Sequence, residues 1–147
     1  MVKVDMIFIP FNTPSSKNSR INTSRGSFMS KTSKAYLNNL GIQSYSSSKK
    51  EVKGFANRPN LFEELRPQFE KLTGGKENPL EIGFHFIRDS KRKFDFHNIV
   101  QIVLDLMTAH DYIEDDNMDC VLPYPLKLEN KAYSIDKKNP GVWIKII

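Results

Sequence analysis

Residues 79–109 read PLEIGFHFIRDSKRKFDFHNIVQIVLDLMTA and contain the two patterns that decide the fold. From residue 80 to residue 86, large apolar side chains alternate with other residues, which predicts a strand with one buried face. This register places His85 on the opposite face, where we expect it to be exposed. Residues 97–109 are dense in Ile, Val, Leu and Met, which predicts a helix packed into the core. A strand followed by an apolar helix is typical of α/β domains.

Segments on both sides of this unit predict the remaining elements. Alternation and β-branched residues favour strands at 3–9, 120–129 and 141–147, whereas helical spacing of apolar residues favours helices at 32–45 and 60–75. The order predicts an α/β (α+β) fold, in which a mixed or mostly antiparallel sheet carries helices packed on it. A chain of 147 residues suits one small domain with a single core, so we expect one unit over its whole length.

Prolines and polar runs predict where regular structure is interrupted. Residues 10–27 and 44–60 are rich in Ser, Asn, Lys and Arg, which is typical of loops. Pro67 predicts that the second helix is kinked or split into two. Pro123 and Pro125 indicate that their strand lies at a sheet edge or carries a bulge, because proline cannot donate a hydrogen bond to a neighbouring strand.

The cysteine count and the hydropathy pattern bound the class of protein. Cys120 is the single cysteine, so no internal disulfide can form, which fits a reducing cytoplasm. No apolar run approaches the roughly 18 residues of a membrane span, and the N-terminal apolar stretch lacks a signal-peptide cleavage site. We therefore expect a cytoplasmic protein with no membrane partner.

Charge is distributed unevenly along the chain, although the formal net charge is only +5. Residues 1–53 carry nine Lys or Arg against two acidic residues, and residues 54–94 carry eight against six. Residues 95–147 carry five Lys against nine Asp or Glu. A basic surface around one acidic focus favours a metal-dependent enzyme that acts on a polyanion. The alternative is a basic arm with a separate, solvated acidic loop.

A narrow polar line runs along the otherwise apolar helix at 97–109. Asn98, Gln101 and Asp105 are spaced three and four residues apart, so they share one face, with His97 beside it. Burying a carboxylate such as that of Asp105 is costly unless it is hydrogen-bonded or paired with a cation. The polar line therefore indicates function rather than solvation.

The other candidates also have structural interpretations. Asp95 directly precedes the helix and suits an N-cap, the Asp115-Asp116 pair suits a solvated turn, and His97 suits an ordinary core or surface histidine. Taken together, an Asp that opens the helix and an Asp pair after it predict a site for Mg²⁺ (or Mn²⁺). Such an ion takes oxygen ligands from two or three carboxylates and from a substrate phosphate.

The length of the chain allows these carboxylates to meet within one subunit. A helix from residue 96 to residue 109 is roughly 20 Å long, and residues 110–116 span about 24 Å when extended. Asp116 can therefore reach Asp95 only if the loop runs back along the helix. Otherwise the site requires a second subunit.

The segment KRKFDFHNIVQIVLDLM, followed by YIEDDNMD, resembles the RusA-type Holliday junction resolvases, endodeoxyribonucleases common in bacteriophages and prophages. The family pattern has basic residues, then D-x-D-N, a helical Asp and a DD pair before a strand. The matching positions are Asp95, Asn98, Asp105, Asp115 and Asp116. The opening IFIPFNTPSSKNSR also resembles the first strand of the family and its P-x-S-x-N loop, at Pro14, Ser16 and Asn18. The match covers residues 91–121 and 6–20.

The resemblance implies a small homodimeric nuclease that makes paired, Mg²⁺-dependent nicks in branched double-stranded DNA. It implies catalytic roles for Asp95, His97, Asn98, Asp105, Asp115 and Asp116. Among these, Asp95, Asp115 and Asp116 are the expected metal ligands. The expected contacts to the DNA backbone are Lys91, Arg92, Lys93, Lys17, Arg20 and Asn18.

Two positions depart from the family pattern. His97 stands where the pattern has its second Asp, and Gln101 stands where it has an active-site Lys. His97 can ligate a metal but brings no negative charge, and Gln101 cannot supply a cation to the transition state. Two alternatives stay open: a catalytically weak or inactive protein that binds branched DNA, and a phage protein that binds a partner protein through the basic loop at 12–34.

Overall fold

The structure, a computed structural model, describes residues 5–15, 20–23 and 26–147. Its elements in chain order are β1 (Met6–Pro10), β2 (Arg20–Thr23), β3 (Gly26–Met29), α1 (Lys31–Asn39), β4 (Ile42–Ser46), β5 (Glu51–Gly54), α2 (Leu61–Thr73), β6 (Leu80–Arg88), α3 (Phe96–Ala109), β7 (Val121–Pro125), β8 (Ser134–Ile135) and β9 (Gly141–Ile146). The predicted α+β class is confirmed.

The main sheet is mixed and has β6 in its interior. Its strand order is β1-β9-β6-β7, with β8 also paired to β6. β9 lies antiparallel between β1 and β6, whereas β7 and β8 both run parallel to β6. β7 carries both prolines of its segment at the end of this order, so the predicted edge position is confirmed.

The helix α3 links β6 to β7 and supplies much of the core. Ile99, Val103, Leu106 and Met107 have no exposed surface. They join Phe84 and neighbouring side chains of β6 in one continuous apolar cluster. The predicted apolar helix is therefore confirmed, and its burial leaves few directions in which its polar residues can face.

Two segments predicted as loops contain hairpins instead. β2 pairs with β3 at the end of the first polar segment, and β4, which begins two residues before the second segment, pairs with β5 within it. In the second hairpin Tyr45 lies opposite Val52, and both side chains pack partly buried against the core. Tyr45 and Val52 stand two residues before and two residues after the polar turn at 47–50. Two apolar residues are a weak sequence signal for a hairpin, and the surrounding serines and lysines obscure it.

The first predicted helix ends earlier than expected, and the reason is Gly41. This residue has φ +84°, and a Cβ placed on it would lie 1.9 Å from the carbonyl oxygen of Pro59. Only glycine fits this close approach with a positive φ. The chain therefore leaves α1 after Asn39 and enters β4 at Ile42.

The predicted split of the second helix at Pro67 is wrong. α2 is one helix from Leu61 to Thr73, with the proline inside it and exposed to solvent. Phe62 and Phe69 anchor the helix to the core on both sides of the proline. Tertiary packing therefore offsets the hydrogen bond that proline cannot make.

The prediction that His85 is exposed is also wrong, because its side chain is 1% exposed. Its Nδ1 lies 2.8 Å from the carbonyl oxygen of Leu126, and its Nε2 lies 2.7 Å from Oγ of Ser134. Since a carbonyl oxygen only accepts, Nδ1 carries the hydrogen and Nε2 accepts from the serine hydroxyl. The chain after β7 covers this face of β6, which alternation within β6 cannot reveal.

None of the helices in the described ranges is both long and apolar enough to cross a bilayer.

Because both ring nitrogens of the buried His85 are hydrogen-bonded, replacing this residue should reveal a structural role. We expect His85→Ala to lower the free energy of unfolding by about 2 kcal/mol or more, because it leaves a cavity and two polar groups without their partner. The measurement is urea denaturation. His97→Ala removes an exposed histidine and should change stability by less than about 0.5 kcal/mol; equal effects of the two substitutions would refute the assignment.

Candidate functional site

The polar line of α3 lies at the border between the core and the surface. Asn98, Gln101 and Asp105 are each partly exposed, whereas the apolar side chains around them are buried. The predicted face is therefore confirmed. His97 lies beside it and is exposed, so of its two structural interpretations, a core or a surface histidine, the surface one is confirmed.

Asp95 opens α3 but its side chain does not cap the helix. The residue has extended backbone angles and makes no side-chain cap hydrogen bond. Instead its Oδ2 accepts a hydrogen bond of 3.2 Å from Nδ2 of Asn98. The carboxylate is exposed, so most of its capacity to accept bonds remains for a ligand.

The loop after α3 turns back along the helix as far as Gln101, and among the described residues no hydrogen bond joins Asp116 to Asp95. Asp111 has φ +64°, and the N–H of Tyr112 donates to the carbonyl oxygen of Met107. The chain then carries Asp116 back to Gln101, where Oδ2 of the aspartate accepts a bond of 2.8 Å from Nε2. That return covers about 12 Å of helix axis.

Gln101 also binds a second carboxylate with the same nitrogen. Its Nε2 donates to Oδ1 of Asp105 at 2.9 Å, in addition to its bond to Asp116. Two oxygens from two acids therefore lie around one amide nitrogen. The bond from Gln101 to Asp116 holds the loop after α3 against the helix at residue 101.

The two members of the Asp pair have different surroundings. Oδ1 of Asp115 accepts from the N–H of Asp116 at 2.8 Å, and its Oδ2 accepts from Nδ2 of Asn117 at 3.4 Å. These are contacts within a turn, so the turn interpretation fits Asp115. Asp116 faces α3 and is the member that reaches the polar line.

The carboxylates of Asp105, Asp115 and Asp116 lie near one another, and no cation of the described residues forms a salt bridge with them. Burial raises the pKa of Asp105, Gln101 lowers it by donating a hydrogen bond, and the nearby charges of Asp116 and Asp115 raise it further. Within the described ranges, none of these three carboxylates, nor that of Asp95, forms a salt bridge. A bound cation would relieve this repulsion.

The donor set fits a hard divalent ion as a pair of carboxylates rather than as a closed cage. Among the residues that the structure describes, no three His, Cys, Asp or Glu side chains lie together as a metal cluster. Asp105 and Asp116, however, each direct one carboxylate oxygen at Nε2 of Gln101. A cation could take the place of that nitrogen between the two oxygens. Mg²⁺ needs only one or two protein carboxylates, because it keeps waters and takes substrate phosphates. The predicted metal ligation by Asp95 and Asp115 stays a prediction.

Basic residues lie beside Asp95. Lys91, Arg92 and Lys93 are all exposed. Arg92 and Lys93 line a cavity of about 510 Å³ together with Asp95, Asn98 and the residues after β1, Pro14 and Ser15. The described part of the first loop therefore lies beside the start of α3. Lys17, Asn18 and Ser16 lie outside the described residues, and Arg20 is described by its backbone alone.

Lys50 is a residue of the site region that the sequence did not indicate. Its Nζ donates to the carbonyl oxygens of Thr108 and Ile113 at 3.2 and 3.0 Å and lies 3.3 Å from the carboxylate of Asp111. It therefore fixes the start of the loop that carries Asp116. No sequence signal connects it to α3, because about 60 residues separate them.

Two hydrogen bonds, with the residue before α2 and with its first turn, fix the same loop. The Nδ1 of His110 donates to the carbonyl oxygen of Leu106 at 2.6 Å, so its Nε2 accepts from Nδ2 of Asn60 at 2.9 Å. Burial lowers the pKa of His110, which favours this neutral form. The hydroxyl of Tyr112 donates to the carbonyl oxygen of Phe62. The return of the loop is thus built into the core.

The raised pKa of Asp105 predicts a pH dependence of stability in metal-free buffer. The folded state holds the proton more tightly than the unfolded state, so stability falls as pH rises from about 3.9 through the folded pKa. Asp105→Asn should be more stable than wild type at pH 7, by at most about 1 kcal/mol because the group is half-exposed, and equally stable near pH 3. Urea denaturation across this pH range tests it. Glu114→Gln removes one exposed charge of the same loop and should not show the pattern; a variant Asp105→Asn that is less stable at every pH would contradict it.

No protein-family model matches the chain, and no curated protein matches it in sequence. The resemblance to RusA-type resolvases therefore rests on the motif residues, and the chemistry of the site rests on its geometry.

Proposed function

We propose that this protein is a Mg²⁺-dependent endodeoxyribonuclease that resolves Holliday junctions, which are four-way DNA, by paired phosphodiester hydrolysis during recombination or repair. The observation that carries the proposal is the contact of Gln101 with Asp105 and Asp116. It gathers two carboxylates on the edge of α3 that begins at Asp95, next to a basic cavity. The motif resemblance supplies the substrate class, and these contacts supply the chemistry.

Asp105 and Asp116 are the residues that would hold the ion. When bound, Mg²⁺ supplies positive charge that offsets the charge developing on the attacked phosphate. Asp115 would keep the turn in shape through its bonds to Asp116 and Asn117. Asn98 would orient Asp95 through its bond to Oδ2, and the other carboxylate oxygen of Asp95 would be the one offered to a ligand.

The basic run before α3 suits the polyanionic partner. Lys91, Arg92 and Lys93 are exposed and directly precede the segment with Asp95. Lys and Arg contacts to phosphates supply most of the sequence-independent affinity for DNA and make it sensitive to salt. Paired cuts in opposite strands require two sites, which a homodimer would provide.

Asp116→Asn should reduce cleavage of a synthetic four-way junction by at least about 100-fold, because it removes the charge that balances the ion. The measurement is the single-turnover nicking rate with Mg²⁺ and with Mn²⁺. Glu114→Gln is the matched control: it is two residues away, is exposed and loses the same charge. It should retain the wild-type rate.

Two results would count against the proposal. If pure wild-type protein cleaves no junction with either ion, the enzyme assignment fails. If Asp116→Asn cleaves as fast as Glu114→Gln, the assignment of the site fails while the activity stands.

A second candidate function is a protein that binds branched DNA and cleaves it weakly or not at all. The observation that favours it is the neutral amide of Gln101 at the centre of the acidic cluster, where no described Lys or Arg forms a salt bridge with Asp105 or Asp116. A site with two acids and no cation lacks a group that could stabilise the transition state. This candidate predicts junction binding that weakens steeply with salt.

Gln101→Lys separates the two candidates. If the neutral amide limits the chemistry, the added cation should raise the nicking rate by at least about tenfold, since it supplies beside the ion the positive charge that the neutral amide lacks. Gln68→Lys adds the same charge at an exposed position of α2 and controls for tighter DNA binding in general. An equal change in both variants would show that Gln101 does not limit the reaction.

A further inference from the structure

The cavity beside Asp95 is formed by three separate parts of the chain. Its walls are the loop from Asn12 to Ser15, the start of α1, and the segment from Arg88 to Asp95, and its volume is about 510 Å³. That is far more than a water molecule needs and lies in the range of small-molecule sites. The start of α1 belongs to no motif discussed above, so this cavity extends beyond the carboxylates of α3.

Three cations line this cavity, and one of them is held in place. Nη1 of Arg88 donates to the carbonyl oxygen of Thr13, and its guanidinium carbon lies 4.9 Å from the centre of the Phe94 ring. Arg88 is half-buried, and within the described ranges it forms no salt bridge. Arg92 and Lys93 are the other two.

The burial of Arg88 has an electrostatic cost, and no carboxylate of the described residues forms a salt bridge with its guanidinium. Burial lowers the pKa of Arg88, and the neighbouring charge of Asp89 raises it. Asp89 and Asp95 are both exposed acids of the cavity wall. A half-buried guanidinium without a paired carboxylate is a group that an incoming anion would stabilise.

The start of α1 adds hydrogen-bond donors to the same cavity. Ser30 caps the helix by accepting from the N–H of Ser33 at 3.3 Å. Within the described part of the chain, the N–H of Thr32, which lines the cavity, and that of its neighbour Lys31 have no hydrogen-bond partner. The first turn of α1 contains no acidic side chain. The positive end of the helix and these donors therefore remain available for an anion.

The geometry points to a phosphate subsite in this cavity, bound by Arg88, Arg92 and Lys93 with the first turn of α1. The ligand is the phosphate group of a nucleic-acid strand, and this identification of the strand rests on the proposed nuclease function. The cavity is larger than a phosphate group, so it also has room for the attached sugar, which would lie against the apolar side chains of Pro14 and Phe94. The subsite would hold a phosphate next to the carboxylates of α3 and so set the position of the strand.

A titration followed by amide NMR tests the subsite without any cleavage. The metal-free protein is titrated with inorganic phosphate, and with chloride at matched ionic strength. Phosphate should shift the amide signals of Lys31, Thr32 and Ser33 and the side-chain signals of Arg88, whereas chloride should not. A short single strand with a 5′-phosphate and the same strand without it then distinguish the source. Tighter binding of the phosphorylated strand assigns a strand end, and equal binding with the same shifts assigns an internal phosphodiester.

Matched lysine substitutions make the test specific. Lys93→Gln should weaken phosphate binding roughly tenfold, because a charge-assisted bond is lost. Lys76→Gln removes the same charge from an exposed turn outside the cavity and should leave binding unchanged. The subsite is refuted if phosphate shifts the α1 amides no more than chloride does, or if both lysine variants weaken binding equally.

The same titration on Asp116→Asn keeps the two proposals separate. Retained phosphate binding by this variant, with cleavage lost, supports both the subsite and the carboxylate site. Junction cleavage by wild type together with no phosphate binding in the cavity would remove the subsite and leave the nuclease proposal standing.

Discussion

The burial of α3 on nearly all sides is the constraint on which the candidate site depends. Its apolar residues are drawn into the core against β6, so Asn98, Gln101 and Asp105 can face only one narrow border with the surface. A half-buried acid there requires partners. Gln101 and the returning loop supply them, and in doing so they bring Asp116 to the helix.

The position of that loop is determined by elements far away in the chain. Lys50, at the turn between β4 and β5, binds the carbonyl oxygens of Thr108 and Ile113. Residues of α2 bind His110 and Tyr112 from the other side. Because these contacts precede any ligand, the carboxylate of Asp116 is preorganised rather than carried on a free loop.

Acidic and basic groups divide around Asp95, and this division suits a polyanionic substrate. The middle of α3 carries Asp105 without a salt-bridge partner among the described residues, whereas the cavity lined by Asp95 carries Arg88, Arg92 and Lys93. A divalent ion would join the two by neutralising the acids and ligating the phosphate that the cations attract. The neutral side chain of Gln101 would limit the rate of such a reaction, because it supplies no positive charge to the transition state.

The sequence by itself determined the α+β class, the apolar helix, its polar line and the edge position of β7, because each follows from local periodicity or from proline chemistry. It also marked Asp95, Asp105 and Asp116 as candidates. Only the tertiary structure decided that Gln101 bridges two acids, that His85 is buried, and that Lys50 and the start of α1 belong near the site. These facts depend on contacts between residues distant in the chain, and local patterns carry no record of which segment covers a given face.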